Sequence, residues 1–499
     1  MRQYAALALA LFLAAAAKAD EPKSVDPVEA LENAVADAIA RAEPSVVAIA
    51  REKAEKGQET VAVRGRPQPG VAPGVINGFN PQLGQFAPVD AEEELSFDYG
   101  SGVVIGTKGE ILTAYHVVQG AARLTVRTRS QPQFAAEIIA ADPRSDLAVI
   151  APREIPGSPP PKLTPIALGD AATLRKGSFL IALGNPYNAA RDGSASASLG
   201  ILSNLARKLE PPAYDFNQRQ NPRQLRHLAS LLQLDAKLNL GMSGGAVINR
   251  KGELVGLTTA GANVEGYDGR AGYAIPIDAL ARRAIEALKQ GKEVEYGFLG
   301  LTLDTGRSPE FGRPVDGLAR VEQTRPGSPA DRAGIVRGDT IISVGERPVH
   351  DTDSLILAVN ALPVGREVSI KVRRVDPFTR GVQDLEKTLV LAKFPVDGEI
   401  IATNRPAPWR GLRIDHMSTT MGNVQPMVVD PDAAMLRGFV VITEVVAGTP
   451  AEQAGLKKGQ LIASVDGTPV RSPDEFGRSV ADKKGPVKLG TDLGPVSVP

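Results

Sequence analysis

The sequence predicts a mostly β protein: a first half built as an all-β barrel or sandwich, then two small α+β modules. Three observations carry this expectation. Between Tyr99 and about Ile285, short apolar runs such as "GVVIG", "LTVRT", "LAVIA", "FLIALG" and "LVGLTT" alternate with turn residues, a spacing typical of closed or packed sheets. Farther on, "PGSPADRAGIVRGDTIISVGERPV" from Pro326 aligns without gaps to "AGTPAEQAGLKKGQLIASVDGTPV" from Ala447, an internal repeat. Finally, 499 residues leave room for about three domains at roughly 150 residues each.

The elements follow in order. The opening "MRQYAALALALFLAAAAKAD" has Arg2, an apolar run from Ala5 to Ala17 and an Ala17-Lys18-Ala19 exit, the pattern of a secretory signal over 1–19. That run is shorter than the roughly 20 residues a membrane span needs. A soluble exported protein, periplasmic or extracellular, is therefore expected. The chain has no cysteine, which excludes disulfides and a lipid-modified amino-terminal cysteine. Next, "PVEALENAVADAIARAEPSVVAIA" shows a helical period that breaks at Pro44 and passes into a β-branched run from Val46 to Ile49. Residues 52–95 are rich in proline and glycine and poor in periodicity, and read as a long mobile loop.

Each repeat opens on a small-Pro-Ala step that suits a helix start. Gly334 or Gly455 then suits the left-handed end of that helix, and "DTIISV" or "QLIASV" reads as a strand entering a turn. The expected divisions are 20–295 for the β-rich domain, 296–396 for the first module and 405–499 for the second.

Composition narrows the chemistry. Basic and acidic residues both total 57, so no bulk charge argues for nucleic acid, and one tryptophan, Trp409, is too few for a single-strand binding surface. Four scattered histidines without cysteine give no zinc spacing, and no glycine-rich phosphate loop follows a strand. Neither metal nor cofactor is expected.

The stretch "LNLGMSGGAVIN", Leu238 to Asn249, sets a serine among glycines. It fits a nucleophile in a tight turn, or a glycine-rich hairpin that happens to contain serine. A serine hydroxyl attacks an amide only with a base to take its proton and a group to orient that base. His116 in "ILTAYHVV" ends a strand of the same region, and Asp146 in "DPRSDLAVI" enters an apolar run where a carboxylate must be paired. Taken alone, His116 also fits a satisfied core or surface residue; Asp142, next to Pro143, fits a turn better than Asp146 does. The order His, Asp, Ser matches one barrel solution to the triad problem. Sharp turning at Gly241 and Ser243 lets two backbone amides converge on a developing oxyanion.

With these residues in view, the blocks "YGSGVVI", "LTAYHVV", "DPRSDLAVI", "LIALGNP", "LDAKLNLGMSGGAVINRKGELVGLTTA" and "GYAIPID" resemble the HtrA/Deg family of trypsin-like serine endopeptidases, and the repeats resemble its PDZ domains. The resemblance runs from about Pro44 to Pro499 apart from two loops. It implies a chymotrypsin/trypsin-like double β-barrel followed by two PDZ domains. It further implies His116 as general base, Asp146 as its orienter, Ser243 as nucleophile, and the amides of Gly241 and Ser243 as oxyanion donors.

The strand Leu257 to Gly261 would pair with substrate. Leu238, Asn239, Leu240, Thr258, Thr259 and Ala260 would border the specificity pocket, whose small side chains suggest an aliphatic rather than a charged occupant. In the first PDZ domain, Tyr296, Gly297, Phe298, Leu299, Gly300 and Leu301 resemble the carboxylate loop and groove strand, with "WRGLRI", Trp409 to Ile414, in the second. Leu355 and Val359 form one face of the groove helix, although packing inside the module explains that pattern equally well.

The implied activity is cleavage of unfolded or misfolded proteins, with hydrophobic carboxyl-terminal peptides at the PDZ grooves and a homo-oligomer, a trimer or a multiple of it. The second module is as well suited to assembly as to peptide binding. Two departures from the family stand out. Met242 replaces the usual asparagine, and residues 207–230 form an insertion carrying Arg207, Lys208, Arg219, Arg223, Arg226 and His227, either a solvated loop or a flap over the cleft. Met242 keeps open an inactive chaperone or PDZ adaptor. A regulated protease with one dedicated partner is the other alternative.

Overall fold

A computed structural model of the chain describes residues 26–53, 99–129, 131–185, 192–208, 224–259, 271–304, 318–376, 378–396, 398–422 and 439–499. The expected signal, nearly all of the 52–95 loop, residues 209–223 of the insertion and Ala260 lie outside them.

Helix α1 (Pro27–Ala42) starts where the Asp26 carboxylate accepts the Val28 amide at 3.0 Å, and it buries Ala38 and Ala42. Pro44 sits in the single 3-10 turn that follows, and the β-branched run begins strand β1 (Val46–Lys53). Strands β2 (Tyr99–Val104) and β3 (Ile111–Ala114) come next, then the one-turn helix α2 (Tyr115–Val118) and strands β4 (Ala121–Arg127), β5 (Phe134–Asp142) and β6 (Leu147–Pro152). Antiparallel pairing in the order β1-β2-β3-β6-β5-β4, with β4 back on β1, closes a six-stranded barrel. Strands β7 (Phe179–Gly184), β8 (Ser196–Arg207), β9 (Leu231–Leu234), β10 (Ala246–Ile248), β11 (Leu254–Thr259) and β12 (Gly272–Pro276) close a second barrel in the order β10-β11-β12-β9-β8-β7.

The barrels share a core. Val103, Leu112 and Leu147 from the first pack with Ile181, Leu183, Ala246 and Leu257 from the second. Helix α3 (Ala279–Lys289), capped by Asp278, adds Ile285 and Leu288. Each such aliphatic side chain contributes about 1.5–3 kcal/mol on burial. The seam between barrels, where the cleft lies, is therefore a fixed interface rather than a hinge.

The repeats fold alike. The short helices Pro329–Arg332 and Pro450–Gln453 end at Gly334 and Gly455, both with positive φ, and lead to strands Thr340–Val344 and Leu461–Val465. Longer helices follow at Thr352–Asn360 and Pro473–Val480. Each module has its own apolar core, around Ile341 and Ile370 in the first and Ile462 and Leu489 in the second.

The modules are tied to the barrels. Lys208 Nζ meets Asp353 Oδ2 at 3.0 Å at the start of the helix Thr352–Asn360, and at its end Arg144 Nη2 donates to Asn360 Oδ1 at 3.0 Å and Arg283 Nη2 to the Asn360 carbonyl at 2.5 Å. Between the modules, Ile401 and Ala402 form a short strand on β5, opposite Ala141 and Ala140.

Lys393, with only 4% of its side chain exposed, lies 2.9 Å from Glu293, 2.7 Å from Asp415 and 3.8 Å from Glu295, joining the barrel domain to both modules. Burial pushes its ammonium down, but Glu293, Asp415 and Glu295 more than offset this and raise it. Lys393→Met leaves three carboxylates facing one another without a cation. The variant should lose about 3 kcal/mol of unfolding free energy, read as a lower urea midpoint.

Candidate active site

The backbone around Ser243 is built from the barrel seam. Ser101 of β2 donates its amide to the Ser243 carbonyl at 2.8 Å and its hydroxyl to the Gly241 carbonyl at 2.8 Å. Gly245 donates to the Met242 carbonyl at 2.9 Å, and the Thr258 hydroxyl donates to that same carbonyl. Gly241 and Gly244 have φ of 91° and 82°, which glycine adopts without the penalty a side chain brings. A Cβ on Gly244 would lie 2.3 Å from the Ser101 carbonyl oxygen, 2.4 Å from Thr113 Oγ1 and 3.1 Å from the Ala114 nitrogen. The serine turn is thus pressed against the end of β3, two residues before His116.

The other two predicted residues meet directly. His116 sits in α2, and its Nδ1 lies 3.0 Å from Asp146 Oδ1 and 2.9 Å from Oδ2, while its amide donates to Oδ1 at 3.1 Å. Asp146 has φ of 59°, a left-handed conformation rare outside glycine, at the end of the turn between β5 and β6. That turn is organised by Asp142, as its place beside Pro143 suggested. The Asp142 carboxylate accepts the Ser145 amide at 2.9 Å and hydroxyl at 2.5 Å, the Arg144 amide at 3.3 Å and the Tyr296 hydroxyl. Burial pushes Asp142 up in spite of these donors.

Burial also pushes Asp146 upward. The charge and hydrogen bond of His116, with Arg226, outweigh it and hold the carboxyl below the ordinary aspartate value. Besides the imidazole, Asp146 Oδ2 receives the Thr259 hydroxyl at 3.2 Å and faces Arg226 Nη1 at 3.5 Å. The third link is open: Ser243 is half-buried, and among the described residues no hydrogen bond joins its hydroxyl to His116. Nor is the amide of Gly241 or of Ser243 spent on a protein acceptor among the described residues.

Several expected contacts are placed differently. Thr258 is fully buried; its hydroxyl and amide are used within the serine turn, and its carbonyl accepts Gly244 at 2.7 Å, so it holds the turn rather than lining a pocket. Thr259 is 2% exposed and its hydroxyl serves Asp146. Leu238 belongs to the second barrel's core, and Asn239 is engaged with Met242, whose sulfur accepts the Asn239 amide at 3.4 Å. Of the expected pocket residues described, Leu240 alone is broadly exposed, at 51%. Met242 is itself 2% exposed among apolar neighbours, so the residue that departs from the family turns into the core and not toward the cleft.

In the first module Tyr296 is also displaced from its expected role. It is wholly buried, bonded to Asp142 and covered by Arg144, whose guanidinium lies 5.3 Å from the ring centre. Leu299, Leu355 and Val359 are in the module's own core. Gly297 and Phe298 pair with Lys393 and Ala392. Gly300, with φ of 79°, packs so tightly on Ser328 that a Cβ would lie 2.2 Å away. Leu301 to Leu303 pair with Val321 to Thr324 and, among the described residues, with no second strand, which leaves one edge unpaired.

Comparison with known proteins agrees with this architecture. The trypsin-like peptidase domain family matches residues 100–257, and the PDZ domain family matches 320–374 and 441–490. The periplasmic serine endoprotease DegP of Escherichia coli K12 is 30% identical over 407 residues, covering 81% of this chain and 76% of that protein. The chain belongs to the HtrA/Deg family. DegP of Salmonella typhimurium is 29% identical over 403 residues, 80% of this chain and 75% of that one. A solved structure of a serine-to-alanine variant of the HtrA-type protease AlgW with a decapeptide matches with a TM-score of 0.50 and 25% identity, over 72% of this chain and 98% of that one. This HtrA-family chain is a serine endopeptidase with two PDZ domains.

Sequence reasoning missed two of the partners of Asp146, Thr259 and Arg226. Thr259 is expected from the sequence to border the substrate, and Arg226, 80 residues from Asp146, is one of five Lys and Arg residues in the insertion. No local pattern signals either contact. For the serine turn the expected outcome is clear: Gly244→Ala, which must move backbone, should cost about 3 kcal/mol or more in a urea melt.

Proposed function

We propose that Ser243 is the nucleophile, His116 the general base and Asp146 the residue that orients it, in an exported endopeptidase acting on unfolded or misfolded polypeptides. The observation that carries this reading is the His116 Nδ1 to Asp146 Oδ2 contact of 2.9 Å, beside a serine turn pressed onto the same strand end. With Nδ1 held by the carboxylate, Nε2 is left to take the Ser243 proton as Oγ attacks the peptide carbonyl. His116 then passes the proton to the leaving amine, and water attacks the acyl-enzyme with His116 again the base. The free amides of Gly241 and Ser243 supply the oxyanion donors. The hydroxyl must close onto the imidazole during this cycle, a tightening that substrate binding commonly brings.

The first PDZ domain is the better candidate for binding carboxyl-terminal hydrophobic peptides. Among the described residues its strand Leu301–Leu303 has one unpaired edge, which would take an added strand, and Gly297 to Gly300 would form the carboxylate loop. In the second domain Trp409 stacks edge-on against Phe476, centroids 5.6 Å apart, and Asp415 of the corresponding strand is committed to Lys393. That domain is better suited to holding the assembly, a homo-oligomer by family resemblance. Export rests on the opening "MRQYAALALALFLAAAAKAD" and on the periplasmic relatives.

The purified mature chain should digest casein and be labelled by a fluorophosphonate; Ser243→Ala should do neither, and Asp146→Asn should lose about ten-thousand-fold in kcat. If wild type and Ser243→Ala are equally inert and unlabelled, the assignment is wrong and a chaperone or adaptor remains. On the Ser243→Ala chain, peptides with a hydrophobic carboxyl terminus should bind, and amidating that terminus should abolish binding.

A further inference from the structure

Among the described residues, one charged side chain outside the cycle just described faces the Asp146 carboxylate directly. Arg226 comes from the carboxyl end of the insertion, and its guanidinium faces Asp146 Oδ2, the oxygen that also receives His116 and Thr259. We propose that Arg226 is a positioning residue that restrains the pair, taking up part of the Asp146 charge that otherwise stabilises the imidazolium formed when Ser243 gives up its proton. The inference rests on the assignment of His116, Asp146 and Ser243 above.

Three observations support it. First, the contact is part-buried: the side chain of Asp146 is 2% exposed and that of Arg226 23%, so solvent screens their charges less than it would a fully exposed pair. Second, the arginine is anchored. Leu225 and Leu228 on either side are 7% and 3% exposed, the Leu225 amide donates to the Arg144 carbonyl at 2.8 Å, and the Ser230 hydroxyl donates to the Leu225 carbonyl at 2.7 Å. This end of the insertion is therefore no solvated loop but part of the wall behind Asp146. Third, Arg226 Nε is buried without a partner among the described residues, and at 3.5 Å its Nη1 is too distant for a tight fork onto the carboxylate. The guanidinium acts through its charge, and its shape is poorly matched to its surroundings.

A cation behind the carboxylate draws on the negative charge that faces the imidazolium, so removing it leaves more of that charge for His116 when the proton arrives. The other charged and titratable groups nearby are Arg51, whose Nη1 donates to the His116 carbonyl at 3.0 Å, and Tyr115, Glu399 and Asp142 on the side of α2 and the β5–β6 turn. They are common to every variant, so differences report Arg226.

The test is the rate of fluorophosphonate labelling of the full mature chain from about pH 4 to about pH 9, a reading of the serine and its base that needs no substrate. Arg226→Gln and Arg226→Met should move the acid limb upward by about half a pH unit or more and raise the plateau several-fold. Arg226→Lys, which keeps the charge, should stay near wild type. Thermal unfolding accompanies each variant, and either neutral variant suffices if the other does not fold. The proposal is overturned if folded neutral variants keep the wild-type limb, or if the lysine variant moves as far as they do. Labelling that persists in Ser243→Ala overturns the triad assignment instead, so the two failures are distinguishable.

Discussion

A carboxylate in a protein interior stays charged only where donors are brought to it, and the site depends on how Asp146 obtains them. They come from distant parts of the chain: an imidazole and an amide from the short helix after β3, a hydroxyl from the last residue of β11, and a guanidinium from the end of the insertion. One barrel supplies the first pair and the other supplies the hydroxyl, so the carboxylate is satisfied only when the barrels are seated on each other. The shared apolar core holds them there, and the strained φ at Asp146 is maintained by a turn that Asp142 ties together from within.

That turn also receives the first module. Tyr296 opens the module's sequence yet ends its side chain on Asp142, and Arg144, two residues on, reaches Asn360 at the end of the module's helix while stacking 3.6 Å over Phe394. Arg144 also offers its carbonyl to Leu225, beside Arg226. Five consecutive residues, Asp142 to Asp146, thus meet the module at one end and the imidazole at the other.

Much of this was legible in the sequence because it rests on periodicity and on small residues at turns. The alternating apolar runs became two closed barrels, the Pro44 break ended α1, and the repeat reappears as matched helices and strands with left-handed glycines at Gly334 and Gly455. A buried carboxylate's need for a partner marked Asp146 as paired, while His116 as that partner was implied by the family resemblance; the two meet at 2.9 Å. What was hidden was side-chain direction. In β11, where both faces are buried, nothing local tells that the Thr258 hydroxyl turns to the serine loop and that of Thr259 to Asp146. Leu355 and Val359 have the spacing of a groove face and of a core face alike, and only packing shows them inside. Tyr296 and Arg226 were beyond reach because their partners are far off in the chain.

The small strand at Ile401 and Ala402 on β5 sets a leash length. From Ala402 to Trp409 the chain stretches about 25 Å even when fully extended. Were the Lys393 cluster to open, the terminal module would roam no farther than that tether from the barrel wall. Anything it carried would stay at high local concentration beside the same molecule, instead of being released to the surroundings.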